Sequence, residues 1–132
     1  MTRIACQQLA PTLGDLEANR ALARGAIDQA VEAGADVVVL PELITSGYMF
    51  GSTEEAAAAA IGTDHEILRE WATEAAAADI VLVGGFCELA DDGRVYNSAA
   101  VFDATGLRAV YRKLHLWDGE KLIFTPGSDP PP

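Results

Sequence analysis

The chain has only two cysteines and two histidines, with no Cys-x-x-Cys pair and fifty positions between His65 and His115. That leaves neither a disulfide framework nor the clustered ligands of a structural metal site. Cys6 and Cys87 stand in apolar, strand-like settings and read as small core hydrophobes, reduced as in a cytoplasmic protein. Basic residues are scarce: nine Lys and Arg face twenty Asp and Glu, for a net charge of −11. A chain so acidic would approach nucleic acid or anionic lipid against its own field, so neither is an expected partner. Long apolar runs are missing as well. The longest, 80–87, has eight residues including two glycines, against the roughly 20 that a membrane-spanning helix requires. The amino terminus has one basic residue, and glutamines interrupt it before an apolar stretch forms, which is not the pattern of a secretory signal.

What is present is 50% hydrophobic, 22% charged and 7% aromatic over 132 residues. Those proportions belong to a packed globular chain, one modest domain or part of a larger one. A domain of this size buries about two-thirds of its unfolded surface and needs no covalent staple. Residues 3–9 alternate loosely as a first strand. Asp15 is placed to cap a helix, along which Leu16, Asn19, Leu22, Ala23, Ala26, Ile27, Ala30 and Val31 recur at the spacing of one face. Gly34 closes it. The apolar run 37–40 reads as a strand buried on both sides, ended by Pro41, and a right-handed crossover sets it parallel to the first. Ser52 with Glu55, and Thr63 with Glu66, form two capping boxes for short helices. The alanine run 56–60 is simply good helix former. Residues 80–86 form another buried strand. Turn signals at Asp91-Asp92-Gly93 and Thr105-Gly106 frame strands over 95–102 and 107–113. The order β-α-β-α-β-β-β predicts an α/β layered domain without internal repeats, ending in coil over 126–132.

Three charged residues sit where a purely structural chain would not require them. Glu42 follows a buried strand at its carboxyl end, the edge where α/β sheets bind ligands. Partial desolvation there favours the protonated carboxyl unless a cation lies beside it, which suits a general base. The ordinary alternative is a solvated glutamate opening a loop. Lys113 is either a protective edge-strand lysine or a fixed ammonium for a developing oxyanion. Glu120 lies seven residues on, before Phe124-Thr125-Pro126-Gly127, and is otherwise a surface acid beside Lys121. His65, in the first turn of a helix where an imidazolium opposes the dipole, reads as a surface residue. His115 is equally a pocket wall or exposed. Gly84-Gly85 lacks the GxGxxG frame, so close packing explains it better than phosphate binding.

In combination these segments are specific. Pro41-Glu42-Leu43 after an apolar strand, Tyr96-Asn97-Ser98-Ala99, Tyr111-Arg112-Lys113-Leu114-His115-Leu116-Trp117, and Glu120 with Phe124-x-Pro126-Gly127 resemble the nitrilase superfamily of carbon–nitrogen hydrolases. Gln7-Gln8 and Gly14-Asp15-x-x-x-Asn19 are similar to that family's first strand and helix. The likeness runs over essentially the whole chain. It implies the N-terminal portion of an αββα sandwich, with 1–132 a carbon–nitrogen hydrolase domain incomplete on its C-terminal side. It implies cleavage of amides, nitriles or carbamoyl groups by a Glu–Lys–Cys constellation with no cofactor. Carried over by motif, Glu42 would be the general base and acid, Lys113 would stabilise the tetrahedral intermediate, and Glu120 would be the supporting second glutamate. Tyr48, in the loop after Glu42, is a candidate for lining the substrate pocket. The residue types suit the task. A thiol of pKa about 8.5 is mostly protonated at neutral pH and needs a base as it attacks, and the oxygen that gains charge needs a donor already in place.

The family's nucleophilic cysteine lies in a later strand, a few tens of residues past the Pro-Gly that Pro126-Gly127 matches, and neither Cys6 nor Cys87 holds that position. The resemblance therefore implies that this chain alone is inactive. Half a sandwich leaves an apolar sheet face and strand edges open to water, so the isolated chain is expected to aggregate or pair. The expected partner is a small-molecule amide or nitrile. The stretch from His115 to Lys121 leans toward amides, and the full-length form is expected to be a homo-oligomer. Two other readings stay open: a non-catalytic binding or assembly module of the same fold, and a glutamine-hydrolysing domain that feeds ammonia to a larger synthetase.

Overall fold

Strand and helix signals that alternate along the chain become one mixed sheet with helices on one side. A computed structural model describes residues 1–131, so Pro132, the end of the expected coil, lies outside the described residues. β1 (Ile4–Cys6), α1 (Leu16–Glu32) and β2 (Val37–Val39) form the expected crossover, with β1 and β2 parallel and Ile4 opposite Val37. The second crossover has two helices, α2 (Thr53–Ala59) and α3 (Glu66–Ala78), and leads to β3 (Val81–Leu89), parallel to β2. β4 (Val95–Asp103) and β5 (Gly106–Arg112) complete an antiparallel meander. The sheet order follows the chain, β1 to β5. Strand β1 is shorter than the expected 3–9, because the chain turns away after Cys6 and Leu9 packs against the core instead.

The helices form for the reasons their sequences suggest, with one exception. Asp15 accepts from the Ala18 amide at 3.0 Å, and Asn19, Ala23, Ala26, Ile27 and Ala30 make the buried stripe of α1. Ser52 caps α2, accepting from Glu55 N–H at 3.2 Å. For α3 the expected cap, Thr63, lies too early. The turn from Gly62 to His65 closes first, with His65 N–H donating to Gly62 O at 3.1 Å. His65, half-buried, is the cap, its Nδ1 accepting from Ile67 N–H at 3.3 Å. The ring nitrogen thus serves one of the free N–H groups at the start of the helix, as a capping side chain does.

The sheet is covered on one face. Val38, Leu82, Phe86, Ala100 and Phe102 meet Ile27 of α1 and Ile67, Leu68 and Trp71 of α3 in the main core. Trp71 stands edge-on to Phe102 at 6.1 Å between ring centroids, and a Cβ on Gly84 would fall 2.4 Å from that indole. Close packing therefore accounts for Gly84, as expected. Strand alternation sends Ile4, Cys6, Val37, Val39, Val81 and Val83 to the other face, and Ile4 remains 61% exposed. Cys6 is exposed there, which corrects the expectation of a core thiol: β1 is an edge strand, and no layer lies over its outward side chains. Cys87 is buried as expected, in a smaller cluster with Leu43, Ala56, Val95 and Phe124 at the carboxyl end of the parallel strands.

Candidate active site

Glu42 owes its position to a turn laid against β3. Beyond β2 the chain passes Leu40 and Pro41, and Ile44 N–H donates to Gly85 O at 3.2 Å while Gly85 N–H donates to Pro41 O at 3.3 Å. A Cβ on Gly85 would lie 2.6 Å from Leu43 N and 2.7 Å from Glu42 Cα, so only glycine admits the turn. Leu43 adopts φ +49, a left-handed value that a branched side chain holds only under constraint. Its complete burial in the smaller cluster supplies that constraint. Asn19, from α1, fixes the far side, donating to Thr45 O at 3.1 Å and to Thr12 O at 2.7 Å.

Strand alternation then sorts two neighbouring cations. Arg112 points to the same side as Ser98 and Tyr96, where it grips buried Glu88 with Nη2 at 2.5 Å and Nε at 3.0 Å and lies 4.0 Å over the Tyr96 ring. Lys113, one residue on, points the opposite way beside Asn97, whose carbonyl accepts Lys113 N–H at 2.8 Å. Glu120 arrives from a 3-10 turn (Asp118–Leu122), its Oε2 accepting from Trp117 N–H at 2.7 Å.

The three sequence candidates meet at one point. Lys113 Nζ lies 2.8 Å from Glu42 Oε1 and 3.0 Å from Glu120 Oε1. Asn97 Nδ2 donates to the same two oxygens, at 2.8 and 3.1 Å. The Tyr48 hydroxyl donates to Glu120 Oε1 at 2.8 Å. The side chains are 46% exposed at Glu42, 29% at Lys113 and 5% at Glu120, so Glu42 is less desolvated than its place at the strand end suggested. Burial opposes the Lys113 ammonium, but hydrogen bonds to Glu42 and Glu120 outweigh it and hold its pKa above the ordinary lysine value. Burial likewise opposes the Glu120 carboxylate, and the Trp117 amide, Lys113 and Tyr48 overcome it, leaving Glu120 below the usual range. Desolvation, helped by the bond to Glu120, pushes Tyr48 up to about 12. The outcome is a half-open carboxylate beside a fixed ammonium, with a second carboxylate kept anionic behind them.

Tyr48 joins the cluster through its hydroxyl, while its ring helps line a cavity of about 260 Å³ with Phe50, Trp117, Leu122, Ile123 and Phe124. His115 is exposed. Cys87 is no ready nucleophile. Burial pushes its thiol up to about 12 despite a hydrogen bond with Ser46, and Sγ donates to Ala56 O at 3.5 Å. Asn97 received no role from the sequence, where the available signal was a carboxamide inside a strand of mostly apolar residues; the structure leaves it 4% exposed. Among the described residues no three His, Cys, Asp or Glu side chains are grouped to hold a metal ion, and no helix is long and apolar enough to cross a membrane.

Residues 3–130 match the sequence model of the Carbon-nitrogen hydrolase family, and the chain belongs to that family. It is 36% identical over 132 residues to a nitrilase of Pyrococcus abyssi, covering 96% of this chain and 48% of that protein. It is 38% identical over 101 residues to an omega-amidase of Danio rerio, covering 76% of this chain and 35% of that protein. Among solved structures, an amidase from Nesterenkonia sp. superposes with a TM-score of 0.77 at 28% identity, over 99% of this chain and 50% of its own. The chain thus spans about half the length, or less, of the relatives it matches. The helix layer, the sheet and the open sheet face are the N-terminal portion of the αββα sandwich.

Proposed function

We propose that this chain supplies the proton carrier, the oxyanion-stabilising ammonium and the supporting carboxylate of a hydrolase that cleaves small amides, its nucleophilic thiol coming from outside these 132 residues. The convergence of Lys113 on Glu42 and Glu120 within 3.0 Å, at the carboxyl end of the parallel strands, carries this reading. As the thiol sulfur attacks the amide carbon, its proton passes to Glu42 and the carbonyl π electrons move onto oxygen. An ammonium has three N–H bonds. Lys113 directs two at carboxylates, and the third is left for that oxygen. When the C=O bond re-forms and the C–N bond breaks, Glu42 returns the proton to the departing nitrogen. Ammonia or an amine leaves, and a thioester remains. Water then attacks the thioester carbon while Glu42 takes one of its protons; the C–S bond breaks, Glu42 passes that proton to the departing sulfur, and the carboxylic acid leaves with the thiol and the Glu42 carboxylate regenerated. Glu120, ionised throughout, keeps Lys113 charged.

Residues 1–132 are then the first part of a hydrolase domain, and the open face of Val37, Val39, Val81 and Val83 is buried once the second sheet packs on it. Both cysteines are free thiols, which suits a cytoplasmic enzyme. The full-length form is proposed to be a homo-oligomer. The test compares the purified 132-residue chain with the complete domain on a panel of small aliphatic amides, reading ammonia release. The complete domain is expected to turn over while the chain alone stays at background. Turnover by the chain alone, lost in Cys87→Ser but kept in Lys113→Ala, would overturn the assignment.

A further inference from the structure

Asn97 has no part in the steps above, yet like Lys113 it touches both carboxylates. Its amide nitrogen has two N–H bonds, one for each glutamate, at 2.8 Å to Glu42 Oε1 and 3.1 Å to Glu120 Oε1. Lys113 commits two of its three N–H bonds to the same pair of oxygens. Four donor hydrogens therefore converge on two Oε1 atoms, and Tyr48 adds a fifth at Glu120. An oxygen that accepts several bonds of this strength is held as an acceptor and is a poor place for a proton. The other oxygen of Glu120 is taken by Trp117 N–H at 2.7 Å. Glu42 Oε2 has no hydrogen-bond partner among the described residues, on a side chain 46% exposed.

We propose that Asn97 is a positioning residue that fixes where the travelling proton resides. With Lys113 it holds Oε1 of both glutamates as acceptors, so that Glu42 takes and returns its proton at Oε2 alone and Glu120 never competes for it. The proposal rests on the reading of Glu42 as proton carrier. Lys113 alone does not set the angle between the carboxylates, because its donors are arranged about a single rotatable bond at the end of a flexible stem. The planar side-chain amide of Asn97 stands on β4, where the residue's backbone carbonyl accepts Lys113 N–H at 2.8 Å, and its two N–H bonds diverge at a fixed angle toward the two carboxylates.

The experiment uses the complete hydrolase domain carrying Asn97→Leu, Asn97→Asp or Glu42→Gln, with kcat and KM for an amide followed against pH. Asn97→Leu keeps the volume and removes both donors. Its kcat is expected to fall roughly tenfold to a hundredfold, a part of the about 10² to 10⁴ that a general base supplies. Its KM should change little, and the acidic limb of its kcat profile should move up by about one pH unit, because the ionised forms have lost a donor. Asn97→Asp keeps the shape and guards against misfolding of the leucine variant. It adds a third carboxylate that becomes a donor only when protonated, so its activity relative to wild type should improve as pH falls. A loss uniform across pH in both variants would mark Asn97 as merely structural and overturn the proposal. So would unchanged kcat and pH profile in Asn97→Leu alongside an inactive Glu42→Gln. A fully active Glu42→Gln would instead sink the proton-carrier reading itself, and this proposal with it.

Discussion

Replacing Lys113 by methionine leaves the shape of the side chain and takes away the charge that two carboxylates share. At an effective dielectric of about 20, each of its contacts corresponds to about 5–6 kcal/mol of Coulomb energy, for separations of 2.8 and 3.0 Å. Most of that is offset by the desolvation of bringing the charges together, and removing one partner of a buried pair costs a net of about 3–5 kcal/mol. Here Lys113 is 29% and Glu42 46% exposed, so water takes over part of the screening, but Glu120 at 5% gains almost none. The expected loss is about 2–3 kcal/mol near neutral pH, carried mainly by Glu120. Its pH dependence has a definite sign. Glu120, held below the ordinary carboxylate range, stabilises the fold above that range and ceases to do so as pH falls through its folded value. Lys113, held above the ordinary ammonium value, stabilises the fold below about pH 10 and loses that contribution only as pH rises further. The penalty should be full from about pH 5 to pH 10 and shrink on acidification, because the unpartnered Glu120 of the variant takes up a proton early. Urea unfolding at one fixed protein concentration, followed by the fluorescence of buried Trp71, measures it. A penalty below about 0.5 kcal/mol, or one equal at about pH 7 and pH 4, would show that Lys113 does not hold Glu120 in its ionised form.

Gly85→Ala should cost about 2 kcal/mol in the same unfolding assay, since its Cβ would meet backbone atoms of the Glu42 turn at 2.6–2.7 Å. Gly119→Ala, with nothing within 4 Å of its Cβ, should lie within about 0.5 kcal/mol of the parent. Equal costs for the two would contradict the close approach. Glu74 has an Oε2 that is buried without a hydrogen-bond partner among the described residues, and burial raises its carboxyl against the pull of Arg24. Because its folded pKa is raised, ionisation destabilises the fold at neutral pH. Glu74→Gln should therefore stabilise by about 0.5–1 kcal/mol at about pH 7 and be neutral below about pH 4. Cys87, with its thiol pushed up to about 12, should resist a thiol reagent until the chain unfolds, and reaction at the rate of a free thiol would show the burial to be wrong.

Much of the fold was legible because it is local. The stripe along α1, the cap at Asp15 and the all-apolar strand before Pro41 each follow from residues close in sequence. Glu42 could be singled out from its place at a strand end, and Lys113 and Glu120 through motifs. The geometry joining them was not legible, because it depends on register. Between Val101 and Phe102 the β4–β5 ladder slips by one, leaving Arg108 unmatched. A one-residue slip exchanges the faces of a strand. That bulge is why Lys113 looks toward Glu42 while Arg112 turns to Glu88. Asn97 was hidden for the same reason: its neighbours come from a turn after β2, the end of β5 and a 3-10 turn, none adjacent to it in sequence. His65 and Cys6 departed from expectation because a cap depends on which turn closes first, and burial on which layer lies above. Neither is written in a local pattern.

Glu42, Lys113 and Glu120 are proposed to serve a thiol from outside this chain. Peptide mapping by mass spectrometry of the complete domain, quenched during turnover of an amide, locates that thiol. An acyl group is expected in thioester linkage to a cysteine other than Cys6 and Cys87, and is expected to be absent when Glu42 is replaced by glutamine. Acylation of Cys6 or Cys87, or undiminished acylation in Glu42→Gln, would contradict it.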